Sequence, residues 1–229
     1  MAAAAFLGIV GGAAVGFTIQ AGRPPTPLPA LAQQGLTYPA EPLAKGTGRG
    51  PLAAKDDRRV ITDGDLRKQL VPGPPGANIA GLPIDSRNVA PRSGWLTASQ
   101  YAQEYVNVAG EFTELTQDDV RRIAAGDWSQ GQDRTVSVRL VQFRAGSGLA
   151  AQGTVAEQLQ YLTGDGGRSG PVKGSGNATY VLLPPDGSGY EAMALGWRGD
   201  VMFEISVFDS RPISEKDIRT LAERQLERL

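Results

Sequence analysis

Carboxylates are the groups in this chain best suited to acid–base chemistry. The 229 residues contain no histidine and no cysteine. That composition excludes an imidazole base, a thiolate nucleophile, a disulfide and a Cys/His zinc site. Asp186, Glu191, Glu204 and Asp209 fall near strand-like segments, and glycosidase-like hydrolysis uses pairs of such acids. Glu204 alone sits inside a strong strand pattern, where an isolated Glu more often faces solvent. Ser-Lys nucleophilic catalysis needs an S-x-x-K at a strand–helix turn, and none stands out. Asp118-Asp119 with Glu111 and Glu114 could offer oxygens to a cation, but the group lacks EF-hand spacing and its turn glycine. It reads as the first turn and solvated face of a helix. No catalytic, cofactor-binding or metal-ligating set is assigned from these residues.

Other motifs each have a plain structural reading beside a functional one. Arg198-Gly199-Asp200 matches an adhesion tripeptide, and it is also ordinary hairpin-turn chemistry. Gly164-Asp165-Gly166-Gly167-Arg168-Ser169-Gly170 could form an anion-binding nest, yet it lacks Walker spacing and leads into a strand, so it reads as a connector. Trp95, Trp128 and Trp197, with Tyr101, Tyr105, Tyr180 and Tyr190, could line a ligand groove or fill a core. The irregular stretch Val71–Gly94 is long for a compact domain, and long loops are often functional or disordered. It is the first place to expect a binding site.

The elements that would position these groups follow from period and capping. Thr62-Asp63-Gly64-Asp65 can cap a short helix through Leu70. Thr97 caps a helix over Ala98–Val106, with Tyr101 and Tyr105 at i, i+4. A second helix is expected near Phe112–Ala125, with Phe112, Leu115, Val120 and Ile123 partly on one face and Gly126 at its end. Thr135–Phe143 alternates Val136, Val138 and Leu140 against Ser137 and Arg139, a half-buried strand. Gly148–Leu162 reads as a helix and Gly164–Gly176 as a Gly-rich loop. Ala178–Leu183 is a strand ended by Pro184-Pro185. Tyr190–Trp197 and Val201–Phe208 form a hairpin across Arg198-Gly199-Asp200. The last helix has Ser214 as N-cap, Asp217 at N3, and Ile213 and Ile218 at the staple positions. Ile218, Leu221, Ala222, Gln225 and Leu226 line one of its faces.

This order predicts an α+β domain over residues 61–229. Its antiparallel sheet has about four strands, covered by helices on one face, and the helix-bracketed strand pair leaves room for one mixed pairing.

Ahead of the domain, residues 1–22 carry no charged side chain. From Ala2 to Ile19 the run is long enough for a membrane span, with net insertion favourable by only ~2–4 kcal/mol. It is expected to be a membrane anchor, with a cleaved secretory segment as the alternative. The basic residues that usually precede such a run are missing, which suggests a true start upstream. Gly8, Gly12 and Gly16 recur every four residues, spacing that lets two membrane helices self-associate closely; Ala/Gly bias explains it as well. Residues 23–60 are a Pro/Gly-rich stalk, with Pro24, Pro25, Pro27, Pro29, Pro39, Pro42 and Pro51 forcing extended backbone. Its Pro24–Pro29 run also matches an SH3-type ligand, though a spacer explains it better. Arg23, Lys45, Arg49 and Lys55 against Glu41 give residues 23–55 a net +3, so the total of −1 leaves −4 on the remainder. A mildly acidic domain gives a phosphate backbone nothing to hold, which argues against nucleic acid.

The stretch Thr135–Leu229 resembles secreted or membrane-anchored domains of high-GC Gram-positive bacteria. The pieces carrying the likeness are TVSVRLVQF, then YEAMALGWRGDVMFEISVF, then RPISEKDIRTLAERQLERL. In plan it is similar to extracytoplasmic sensor domains of bacterial Ser/Thr kinases and to related small lipoproteins. The resemblance implies an extracytoplasmic binding or sensing role without catalysis. The expectation is a non-enzymatic domain, without cofactor, that binds a cell-envelope ligand or protein partner outside the membrane. Two other classes stay open: an assembly subunit of a membrane complex, and a carboxylate-dependent hydrolase.

Overall fold

Gly64 to Leu229, without residues 79–92, 132, 145–148 and 174, is described by a computed structural model. The expectations for residues 1–22, for Gly8, Gly12 and Gly16, and for the stalk lie outside these residues. Among the described residues no helix is long and apolar enough to cross a membrane.

After a short 3-10 turn at Leu66–Gln69, the chain runs through β1 (Ser93–Leu96), α1 (Ala98–Ala102), α2 (Val108–Gln117), β2 (Val120–Gln130) and β3 (Arg134–Phe143). It continues through α3 (Ala150–Gly164), β4 (Arg168–Pro171), β5 (Ala178–Leu182), β6 (Tyr190–Arg198), β7 (Val201–Asp209) and α4 (Glu215–Leu226). The strands form one seven-stranded sheet in the order β1-β2-β3-β7-β6-β5-β4. Each of its pairings is antiparallel.

The α+β class holds, but the sheet has seven strands instead of about four, and no mixed pairing occurs among the described residues. The largest correction is at Val120–Ala125, expected as the end of a helix and found in the strand Val120–Gln130. Leu115, Val120 and Ile123 mimic a helical stripe, but the helix stops at Gln117 and Asp119 turns the chain at φ 56°. Asp is among the few residue types that tolerate this left-handed backbone. Beyond the turn, residues 123–125 are buried in succession, the mark of a strand covered on both faces. The Gly-rich segment hides β4, an edge strand ending in Pro171, where a missing N–H costs no ladder bond. The helix expected over Ala98–Val106 closes after one turn, at Ala102.

Helices cover both faces of the sheet, not one. Side-chain alternation divides each central strand between them. Val136, Val138 and Leu140 of β3 and Val201, Phe203, Ile205 and Val207 of β7 pack toward α4, with Ile218, Ala222, Leu66, Val71 and Trp128. Val141 and Phe143 of β3 and Met202 of β7 pack on the opposite face, with Tyr101, Leu115, Val155 and Leu195. Close packing fixes Gly196 on β6, where a Cβ would come within 2.6 Å of Ala178 Cβ and of Phe203 Cε1. The β6–β7 hairpin turns on Gly199-Asp200, with Gly199 at φ 61°.

The helix α4 starts as expected, with Ser214 Oγ accepting from Asp217 N at 3.2 Å. Its buried Gln225 is no ordinary core residue. Its Oε1 accepts from Val71 N at 2.8 Å and its Nε2 donates to Gln69 O at 2.9 Å, which sews the domain's first turn to its last helix.

Candidate functional site

Two polar regions lie on the sheet face that carries α1, α2 and α3. The first is buried. Arg139 of β3 stands opposite Ala125 on β2 and Glu204 on β7. Its side chain is 6% exposed and holds two carboxylates at once. Nε and Nη2 each donate to Glu104 at 2.9 Å, while Nη2 also reaches Asp127 Oδ2 at 3.2 Å and Nη1 donates to Val138 O at 3.0 Å. Burial alone would depress the guanidinium's pKa. The Asp127 hydrogen bond and the charge of Glu104 outweigh it, and the net displacement is upward.

Beside this ion triad, Glu204 Oε2 meets Tyr101 Oη at 3.0 Å and Tyr105 Oη at 3.1 Å, and the two phenol oxygens are 2.6 Å apart. Both phenols donate to the Glu204 carboxyl, and the Tyr101–Tyr105 contact joins them to each other. Burial pushes the Glu204 carboxyl up, with the charge of Glu104 adding to it, and the upward direction prevails over the opposing pull of Tyr101 and Arg139. Gln158 of α3 donates to Tyr105 Oη at 2.9 Å. Glu111 on α2 completes the surroundings. Burial, then Glu114, Glu204 and Asp118, raise its carboxyl from 4.5 to about 7.

The second region is an open cleft of about 320 Å³ where the chain passes from β5 into β6. Its apolar wall is Leu183, Pro184, Pro185 and Phe208, and its polar wall carries Asp165, Asp186 and Glu191 with Ser188 and Gly189. No basic side chain lines it. The two prolines have fixed φ and no N–H to satisfy, so the wall is stiff. Asp186 Oδ1 accepts from Ser188 N at 2.8 Å, and the hydrogen bonds of Ser188 hold the carboxyl below its ordinary pKa. Glu191 Oε1 accepts from Ser206 Oγ at 3.0 Å.

The structure thus separates the four carboxylates singled out from sequence. Asp186 and Glu191 share the cleft. Glu204 is half-buried and accepts from Tyr101 and Tyr105. Asp209 is buried and accepts from Arg211 N at 3.0 Å. Among the described residues, no group of three or more acids is placed to hold a metal ion. In the tripeptide 198–200, Asp200 accepts from Gln142 Nε2 at 2.8 Å, so its carboxylate serves the fold. Of the Val71–Gly94 stretch, residues 79–92 lie outside the described residues, and Val71 is core. Of the aromatics, Trp128 and Tyr180 are core, Tyr101 and Tyr105 form the ring with Glu204, and Trp95 is 43% exposed. Sequence reasoning missed the Arg139 triad, because Arg139 sits at a position that period alone assigns to a solvated face.

No family model matches the chain, and no curated protein does. Among solved structures, the extracellular domain of PknH from Mycobacterium tuberculosis is similar over 50% of this chain and 67% of that one, at 13% identity and a TM-score of 0.39.

Proposed function

We propose that this is a non-enzymatic binding domain held outside the cell by residues 1–22, as a membrane anchor or after release. Its ligand seat is the cleft between β5 and β6. The observation that supports this reading is the wall chemistry: three carboxylates and no cation, facing a stiff apolar surface. Such a wall suits a ligand with a positive group next to an apolar stem, such as an amine-bearing peptide of the cell envelope. The volume is at the small end of the ligand-pocket range, enough for one such group and its neighbour.

The division of acids speaks against hydrolysis. Carboxylate catalysis wants one carboxyl neutral and one ionised across the same substrate. Here the acid with the raised pKa, Glu204, accepts from Tyr101 and Tyr105 apart from the cleft, and Asp186 on the cleft wall has its pKa lowered by Ser188. An assembly role keeps one specific support. Val106, just ahead of α2, is 92% exposed, and Val108 and Phe112 on α2 are 44% and 45% exposed, apolar side chains suited to a protein partner.

Calorimetry with short peptides carrying a free amine, against their N-acetylated forms, tests the cleft. Binding of the amine forms alone, weakened about tenfold or more by Glu191→Gln, is the expected result. Equal binding of both forms, or an unaffected Glu191→Gln, overturns it.

A further inference from the structure

The 3-10 turn at the start of the domain is ringed by cations. Arg67 and Lys68 project from it and are exposed. Arg228 reaches it from beyond α4, donating Nη2 to Lys68 O at 2.6 Å and Nε to Gln69 O at 3.3 Å. Arg122 of β2 reaches it from the other side, donating to Gly64 O at 2.8 Å. Among them stands Trp95, with Arg67 Cζ 5.1 Å and Arg122 Cζ 5.6 Å from its ring centroid. Asp65 is bound to Arg67 at 2.7 Å. With Arg67 paired to Asp65, Lys68, Arg122 and Arg228 supply the positive charge around this turn, on a domain that is otherwise acidic.

We infer that this patch docks the domain onto an anionic phospholipid surface. The argument is charge complementarity joined to an exposed indole. Lys and Arg gain about 1 kcal/mol each beside an anionic leaflet, and Trp prefers the headgroup level, where its ring is buried and its N–H stays wet. A basic surface for a soluble anion would not need an exposed Trp held between two guanidiniums. The inference is independent of what the cleft binds.

The absence of cysteine makes the test direct. A polarity-sensitive label goes on Ser93→Cys, on β1 beside Trp95, or on Ser169→Cys, on β4 at the opposite edge of the sheet. The full-length protein is mixed with phosphatidylcholine vesicles, with and without phosphatidylglycerol, and quenching by lipid-borne quencher is measured. Insertion of residues 1–22 would bring the domain near both vesicle types, so dependence on phosphatidylglycerol isolates the patch. The expected result is quenching at position 93 only with phosphatidylglycerol and none at 169. Lys68→Gln should weaken docking about fivefold, and Trp95→Ala should abolish it. Circular dichroism confirms the fold of each variant. Equal quenching in both vesicle types, quenching at both positions, or no effect of Lys68→Gln and Trp95→Ala overturns the inference.

Discussion

Replacing Glu111 by Gln should stabilise the domain at pH 8 and leave it unchanged at pH 4. The Glu111 carboxyl is lifted from 4.5 to about 7 by burial first, and then by Glu114 and Asp118 of its own helix and Glu204 of β7. At 1.36 kcal/mol per pH unit, that displacement would correspond to about 3 kcal/mol in a dry site. The side chain is only about half buried, and solvent screening reduces the figure to ~1 kcal/mol. The sign follows from linkage. A carboxyl whose folded pKa lies above its unfolded one is comfortable only when protonated. Its favourable contribution is complete below about pH 4.5 and is lost as pH rises to about 7. The groups around it that titrate or carry charge are Glu114, Asp118, Glu204, Glu104, Tyr101 and Tyr105, and Arg139 is the cation of the cluster. Urea denaturation from pH 4 to pH 8 reads the effect. The wild-type midpoint should fall across that window and the Glu111→Gln midpoint should fall less. Parallel curves would refute the reasoning, because they would mean that Glu111 ionises in the fold as easily as in the unfolded chain.

Two more outcomes follow from the same face of the sheet. Glu204→Gln keeps an acceptor oxygen for Tyr101 and Tyr105, so it should cost under ~1 kcal/mol at pH 7, whereas Glu204→Leu removes that acceptor and should cost about 1–3 kcal/mol; similar losses for both in thermal unfolding would contradict a hydrogen-bonding role for Glu204. Arg139→Met leaves Asp127 and Glu104 buried without their cation and should cost about 3–5 kcal/mol. Adding Asp127→Asn to Arg139→Met should recover part of that loss in denaturant titration, and further destabilisation would count against the triad.

What the sequence made legible divides along physical lines. The β6–β7 hairpin and α4 were readable because their signals are local: an Arg-Gly-Asp turn, a Ser214 cap and a staple pair. β2 was unreadable for the opposite reason. A strand buried on both faces loses its alternation, and VRRIAAGDWSQ then carries no period of two. The choice is made by pairing, with β3 just across residues 131–133 and with β1 on the other side. The polar sites follow the same rule. Tyr101 and Tyr105 at i, i+4 were visible as a pair, but nothing local announces that Glu204, about a hundred residues on, completes them. Arg139 alternates as a solvent-facing residue should, and only Glu104, from the turn after α1, and Asp127 of β2 hold that position inward. The cleft was half visible, since Pro184-Pro185 and the acids around it stood out, while Phe208 arrives from β7.

The stitching of the domain's first turn to its last helix has a mechanical meaning. Gly64, Lys68, Gln69 and Val71 are held by Arg122, Arg228 and Gln225, by side chains and not by a strand ladder. Loosening this turn would cost those side-chain contacts and leave the ladders of the sheet untouched. It would also shift Trp95's guanidinium neighbours while the seven strands stayed paired.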